Sequence, residues 1–320
     1  IIKNNKKMKV LFIDNVHPIL EERLLIMGFK CEHDYTSNRE TILDKLPSYE
    51  GLVIRSRITV DKEFLGANNK LKFIARSGAG VENIDCKEAK KRNIHLISAP
   101  EGNRQAVGEH TLGMILSLFN KISLGDKEIR FGKWSREANR GIELSGKTIG
   151  IIGYGNMGKA FAKCLAGFDC EVLAYSKTPT NISDDYVRRS SLEDIQNKAD
   201  IVSFHTPYNE STHHYLNENF IEKMGRPFYV INTARGKVVH TDALVKGLKS
   251  KKILGACLDV LEYEKTCFEN MFDNDMPDNF QYLVSSPKVL LSPHVAGWTI
   301  ESYKKLSSVL ADKIEALYNL

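Results

Sequence analysis

The stretch Thr148–Gly158 reads T-I-G-I-I-G-Y-G-N-M-G, and it constrains this chain more than any other. A short β-branched run (Ile149, Ile151, Ile152) ends in Gly153, Gly155 and Gly158, spaced G-x-G-x-x-G, and a helical pattern opens directly after it. The first glycine allows a tight strand-to-helix turn. The second lets a pyrophosphate approach the backbone, and the third lets helix and strand pack closely, so that phosphates sit on the positive helix N-terminus. Such glycine spacings are common by themselves. This one lies between a strand and a helix, the context that gives it meaning. Gly153, Gly155, Asn156, Met157 and Gly158 are therefore expected to form a dinucleotide-binding turn.

Apolar strand-like runs occur at Lys9–Ile13, Leu52–Ile54, Phe73–Ala75 and His95–Ile97, with helical patterns such as Leu20–Met27 and Arg39–Leu46 between them. The series continues at Thr148–Ile152, Glu171–Tyr175, Ile201–Phe204, Tyr229–Asn232, Leu254–Leu258 and Val289–Leu291. Alternation of this kind means parallel sheets with helices on both faces. A chain of 320 residues is also too long for one ordinary core. The expected fold class is α/β with two doubly wound parallel-sheet domains. A glycine turn of this type marks the first strand of its own domain, so a position near residue 150 implies an independent domain before it. Gln105–Phe119 reads as a bridging helix, Ile300–Leu317 as a long amphipathic helix able to return to the first domain, and Phe268–Leu283 as an irregular acidic loop insertion.

Bulk properties narrow the class further. With 42% hydrophobic and 27% charged residues the composition is that of a soluble globular protein. The net charge of +5 is dispersed, and the cluster Lys3, Lys6, Lys7 and Lys9 reads as a solvated tail rather than a nucleic-acid arm. Cys31, Cys86, Cys164, Cys170, Cys257 and Cys267 form no C-x-x-C pair and fall mostly in apolar patterns, which suits buried thiols in a reducing, cytoplasmic compartment. No apolar run approaches the ~18 residues of a membrane span. No metal set, nucleic-acid partner or membrane partner is expected.

Three motifs lie near the C-terminal ends of strands, where ligands bind in open α/β sheets. V-I-N-T-A-R-G places Arg235 past one strand, G-A-C-L-D-V-L-E-Y-E places Asp259 at the end of another with Glu264 beyond it, and L-S-P-H-V-A-G places His294 after a third. Oxidation of a 2-hydroxy acid by hydride transfer needs a guanidinium to anchor the carboxylate and a group to accept the hydroxyl proton. Arginine and histidine supply these, and a neighbouring carboxylate fixes the imidazole tautomer. Singly, such an arginine reads as a surface or capping residue, such a glutamate as solvated and such a histidine as structural. His205, His213 and His214 are read as structural or exposed. Together with the glycine turn, Arg235, Glu264 and His294 form a coherent catalytic set.

At this point the residues resemble a family, the D-isomer-specific 2-hydroxyacid dehydrogenases, and within it the phosphoglycerate dehydrogenase branch. The resemblance runs from about Met8 to the C-terminus. It rests on I-R-S-R-I-T-V (Ile54–Val60), R-S-G-A-G-V-E-N-I-D (Arg76–Asp85), A-P-E-G-N (Ala99–Asn103), G-Y-G-N-M-G, H-T-P-Y-N-E-S-T from His205, N-T-A-R-G, L-D-V-L-E-Y-E and S-P-H-V-A-G-W. It implies a flavodoxin-like substrate domain from residues 1–102 plus 295–320 and a Rossmann NAD(P)-binding domain from 103–294. It implies that Arg235 binds the carboxylate and polarises the carbonyl, Glu264 tunes the imidazole, and His294 is the acid/base. Ala79 and Gly80 would hold the substrate carboxylate through their amides, with Asn103 on the substrate side and Arg55, beside Ser56, toward a substrate phosphate. Thr206 and Pro207 would line the adenosine half of the cofactor, and Thr233 and Asp259 would lie by the nicotinamide. A homodimer and a small 2-hydroxy or 2-keto acid substrate are implied.

Two departures bear on function. NAD-using members carry an acid at the end of the second cofactor-domain strand, where it grips the ribose hydroxyls. Here Ser176 and Lys177 occupy that position, so NAD is expected with NADP admitted, and Asp184 or Asp185 is the candidate substitute acid. Only 26 residues follow His294, so no serine-sensing regulatory domain and no inhibition through one are expected. The best substrate reading is 3-phosphoglycerate and 3-phosphohydroxypyruvate. The alternatives are a glyoxylate or hydroxypyruvate reductase and, from another class, a corepressor-like nicotinamide-sensing protein. A formate dehydrogenase-like hydride transferase is disfavoured because that chemistry has no hydroxyl proton to remove and those enzymes place Gln where Glu264 stands.

Overall fold

The computed structural model describes residues 8–177, 184–264 and 276–319. The chain divides into two units, Ile1–Asn103 with Trp298–Leu320, and Arg104–Gly297. In the first unit, β1 (Lys9–Phe12), β2 (Lys30–His33), β3 (Gly51–Ile54), β4 (Phe73–Arg76) and β5 (His95–Ser98) form a five-stranded sheet in the order β2-β1-β3-β4-β5. Every pair is parallel. Parallel strands need helical crossovers, and the helices bury both faces of the sheet. Alternate side chains therefore enter different cores. Val10 and Phe12 pack with Leu20 and Leu24 of α1 (Ile19–Ile26) and with Leu306, Leu310 and Ile314 of α12 (Ile300–Tyr318). Leu11 and Ile13 pack on the other face with Ile42 of α2 (Arg39–Lys45), Phe64 of α3 (Lys62–Gly66) and Ala89 of α4 (Cys86–Lys91). Arg23 of α1 pairs with Asp312 and Glu315 of α12, fixing the C-terminal helix to the N-terminal sheet.

The second unit holds seven parallel strands, β6 (Thr148–Ile152), β7 (Glu171–Tyr175), β8 (Arg188–Arg189), β9 (Ile201–Phe204), β10 (Phe228–Asn232), β11 (Ile253–Leu258) and β12 (Val289–Leu291), in the order β12-β11-β10-β9-β6-β7-β8. Phe204 and Val230 face a core with Ile195 of α8 (Leu192–Lys198), Phe220 of α9 (Glu218–Lys223) and Leu244 of α10 (Thr241–Lys249). Ile149, Ile151 and Ile231 face another, with Ile115 and Phe119 of α5 (Pro100–Phe119) and Phe161 of α7 (Asn156–Cys164). Both sheets reverse strand order at one place, between β1 and β3 in the first and between β6 and β9 in the second. Such switch points open a ligand crevice at the carboxyl ends of the strands.

Several elements differ from the sequence reading. β2 and β8 carry no apolar run and were not expected; both lie at sheet edges, where side chains gain little burial. The helix expected at Gln105 starts at Pro100. The segment read as a loop through Leu283 contains α11 (Asp278–Ser285), which buries Phe280 and Leu283, the latter in the core shared with β9 and β10; residues 265–275 lie outside the described residues. Cys86 is exposed rather than buried, while Cys257 is fully buried and Cys31, Cys164 and Cys170 are half-buried free thiols. Cys267 is outside the described residues. Among the described residues no helix is long and apolar enough to cross a membrane.

Candidate active site

The glycine turn takes the conformation its spacing demands. Gly153 ends β6 with φ +97°, a left-handed backbone, and a Cβ there would lie 2.6 Å from the His205 carbonyl oxygen. A Cβ on Gly158 would lie 2.3 Å from the Gly153 carbonyl oxygen, so helix α7 can sit this close to the turn only as glycine. At Gly155 an added Cβ meets nothing within 4 Å, so the backbone is open on that side. Gly155 is also the N-cap of α7, with no side chain capping the first turn at Asn156, Met157 and Gly158. An uncapped helix start beside open backbone fits a pyrophosphate.

The neighbouring strand ends continue this surface. Among the described residues the buried Thr206 hydroxyl has no hydrogen-bond partner, a donor suited to a ligand, and Pro207 beside it is exposed. Thr233 is buried, its hydroxyl 3.1 Å from that of Thr111 on α5. Ser176 and Lys177 follow β7, half-buried and exposed respectively. Asp184 is directed to the glycine turn itself: its carboxylate accepts the Tyr154 hydroxyl at 2.7 and 2.9 Å. Burial and this carboxylate push the Tyr154 phenol well above its ordinary range. These groups fit the dinucleotide expected of the glycine turn.

The three residues singled out for catalysis stand past the ends of β10, β11 and β12. Arg235 follows β10 in extended backbone, its carbonyl receiving the Asn232 amide at 2.9 Å and its Nη1 donating to the Ala234 carbonyl at 2.7 Å. The loop after β11 folds back so that the Glu264 carboxylate accepts the Leu261 amide and lies 2.6 Å from His294 Nδ1. With Nδ1–H donating to Glu264, the imidazole is held in the tautomer that carries its lone pair on Nε2. Glu264 and His294 are therefore brought together as expected from the sequence.

His294 has φ +55°, a conformation that costs a non-glycine residue about 1 kcal/mol. Asp259 sustains it. The Asp259 carbonyl accepts the His294 amide at 2.8 Å. Its carboxylate, 1% exposed, accepts Ser292 Oγ at 2.6 Å and the amides of Val295 and Ala296 at 2.9 Å. The carboxylate is directed into the 292–296 turn, whose amides only a buried acceptor can satisfy. His110 on α5 joins this network, with Nε2 2.9 Å from Ser292 Oγ and 3.5 Å from Asp259. Neither His110 nor Ser292 was singled out from the sequence, and the S-P-H tripeptide is the one signal that marks Ser292.

In the N-terminal unit, Arg55 and Ser56 follow β3, and the Arg55 amide donates to Asp14 at 2.6 Å across the switch point from β1. Ala79 and Gly80 follow β4 in the turn anchored by the Ser77 amide on Ile54 and by the Gly78 carbonyl, which accepts Ala99. Neither the Ala79 nor the Gly80 amide donates to a described residue, and successive unpaired amides make an anion nest. Asn103, in the first turn of α5, has a buried side-chain oxygen without a partner among the described residues.

Comparison with known proteins is consistent with this geometry. Residues 112–296 match the family model for the D-isomer specific 2-hydroxyacid dehydrogenase NAD binding domain. The chain is 36% identical to the glyoxylate reductase of Thermofilum pendens over 89% of this chain and 83% of that one. It is 34% identical to the D-3-phosphoglycerate dehydrogenase of Archaeoglobus fulgidus over 96% of this chain, spanning 56% of that protein. Among solved structures it is similar to the D-lactate dehydrogenase of Aquifex aeolicus complexed with NAD and lactic acid, with TM-score 0.80, 26% identity and coverage of 97% and 95%.

His205, between β9 and Thr206, predicts a pH effect. It is buried, bonds Ser203 Oγ at 2.8 Å through Nε2, leaves Nδ1 unpartnered, and is pushed by desolvation from 6.5 down to about 3. At pH 7 the imidazole is neutral in the native chain and mostly neutral in the unfolded one, so it contributes little. Below 6.5 the unfolded chain takes a proton that the native state refuses, so stability falls with pH. By pH 5 wild type should lose about 2 kcal/mol through this group. Urea unfolding at pH 7 and pH 5 should show that loss reduced in His205→Gln; equal losses in both proteins would contradict it.

Proposed function

As the chain belongs to the D-isomer-specific 2-hydroxyacid dehydrogenase family, nicotinamide-dependent oxidoreductases of the CH–OH group, we propose that it interconverts 3-phosphoglycerate and 3-phosphohydroxypyruvate with NAD. The observation that carries the catalytic reading is the 2.6 Å contact between Glu264 and His294 Nδ1. The nicotinamide, when bound, supplies or receives the hydride. The glycine turn at Gly153, Gly155 and Gly158 and the first turn of α7 hold its pyrophosphate, with Thr206, Pro207 and Thr233 along the same strand ends. Arg235 binds the substrate carboxylate and polarises the carbonyl. His294 gives a proton from Nε2 to the carbonyl oxygen as it becomes an alkoxide and takes it back in the reverse direction. Glu264 holds the tautomer and orientation that make Nε2 the working atom.

In the N-terminal unit the Ala79 and Gly80 amides receive a carboxylate, Asn103 adds a polar contact, and Arg55 receives the phosphate. Lys177 and Ser176 leave room for NADP as an alternative cofactor. A glyoxylate or hydroxypyruvate reductase is the second reading, favoured by the glyoxylate reductase at 36% identity. A corepressor-like role has no need of the Glu264–His294 pair, which argues against it. The free thiols support a cytoplasmic setting.

A homodimer is the proposed assembly. Helix α6 (Ile122–Arg130) buries none of its own residues, and beyond it Phe131 and Trp134 are 75% and 84% exposed. Together with Ile122 and Ile129 these make an apolar surface larger than isolated exposed residues explain. A second copy of the chain is the proposed occupant, in keeping with the dimer that the resemblance implies.

Two measurements follow. The kcat/KM with NADH should favour 3-phosphohydroxypyruvate over hydroxypyruvate by at least ~10²-fold, since a site built for a charged group is left unpaired without it. No preference would favour the general reductase. In size-exclusion chromatography with light scattering, wild type should run as a dimer and Phe131→Asp/Trp134→Asp as a monomer. A monomeric wild type, or a variant that stays dimeric, would remove this face from assembly.

A further inference from the structure

Arg55 is held by its backbone but not by its charge. Its amide donates to Asp14 at 2.6 Å, and its carbonyl accepts Arg76 Nε and Asn83 Nδ2, each at 3.2 Å. Among the described residues the guanidinium itself has no hydrogen bond or ion pair. It lies over the indole of Trp298, whose centroid is 4.2 Å from the guanidinium carbon. Stacking satisfies the apolar face of a guanidinium and leaves its in-plane N–H donors available.

Trp298 is itself fixed in place. It directly precedes Thr299, the N-cap of α12, whose hydroxyl and backbone form a reciprocal capping box with Ser302. Trp298 and Tyr303 therefore occupy the two positions that staple a helix entry, and their rings meet edge to face at 5.5 Å. Tyr303 packs in turn on His17 at 5.6 Å, while the His17 amide donates to Ser307 Oγ. The run His17–Tyr303–Trp298–Arg55 is thus anchored at the start of α12 and just past β1. Arg76, whose Nε donates to the Arg55 carbonyl, lies against the turn that carries the Ala79 and Gly80 amides: a Cβ at position 78 would fall 1.6 Å from Arg76 Nη1.

We propose that Trp298 is a specificity-determining positioning residue: it presents the Arg55 guanidinium, edge outward, to a phosphoryl dianion on the end of a short 2-keto acid whose carboxylate lies on the Ala79–Gly80 amides. This rests on the substrate reading above and assigns its discrimination to the stacked pair rather than to Arg55 alone. An arginine without the stack would sample several rotamers and lose part of that discrimination to ordering entropy. Phenylalanine preserves an aromatic face, whereas alanine removes it.

The test measures kcat and KM for 3-phosphohydroxypyruvate and for hydroxypyruvate, with NADH, in wild type, Trp298→Ala and Trp298→Phe. The ratio of kcat/KM between the two acids should fall roughly tenfold in Trp298→Ala, through KM for the phosphorylated acid, and no more than about threefold in Trp298→Phe. A parallel loss for both acids in Trp298→Ala, leaving the ratio intact, would reduce Trp298 to a helix-entry staple and overturn the proposal. So would a wild type that reduces hydroxypyruvate but does not prefer the phosphorylated acid. Wild type that reduces neither acid would instead remove the substrate reading on which the proposal rests.

Discussion

Asp259 sits at the end of β11 with its carboxylate 1% exposed, accepting Ser292 Oγ and the amides of Val295 and Ala296 while its carbonyl holds the His294 amide. A buried acceptor with that many donors is costly to disturb, and removing it would strand the amides of the turn. The turn in turn keeps His294 in a left-handed conformation that its own backbone disfavours. In that conformation Nδ1 is presented to Glu264 across the loop after β11. The Glu264–His294 contact therefore rests on one internal carboxylate, and His110 on α5 extends the same network to a helix packed on the sheet.

The glycine turn obeys a different constraint, that of volume. His205, Gly153 and Gly158 stand so close that a methyl group at either glycine would strike a carbonyl oxygen. That crowding draws the end of β9 against the end of β6 at the point where strand order reverses. It also carries Thr206, with its unpartnered hydroxyl, to the same edge as the uncapped start of α7. In the smaller unit the corresponding reversal lies between β1 and β3, and Asp14 and Arg55 meet there. Both sheets thus place their reactive groups by topology and leave residue identity to decide the chemistry.

Much of this was legible in the sequence because burial writes itself as pattern. β6, β7, β9 and β12 match their apolar runs end for end: β6 and β9 are buried along nearly their whole length, and β12, although at a sheet edge, keeps a half-buried apolar run. β2 and β8 escaped because an edge strand need not be apolar. α11 escaped because its acidic surroundings hid a helix that buries only Phe280 and Leu283. Arg235, Glu264 and His294 were readable as strand-end residues in order, and the structure joins the latter two. The inward turn of Asp259, its link to His110, and the stacking of Trp298 on Arg55 were not readable. Each joins residues far apart in the chain, and no periodicity records such a contact.

The central claim is that His294 moves the proton. The most direct measurement is the steady-state rate of 2-keto acid reduction by His294→Asn beside wild type, with NADH affinity followed by fluorescence titration. The kcat should fall by ~10²–10⁴, the usual worth of a positioned acid/base, with NADH binding retained. A variant that binds NADH and turns over within a few-fold of wild type would contradict it.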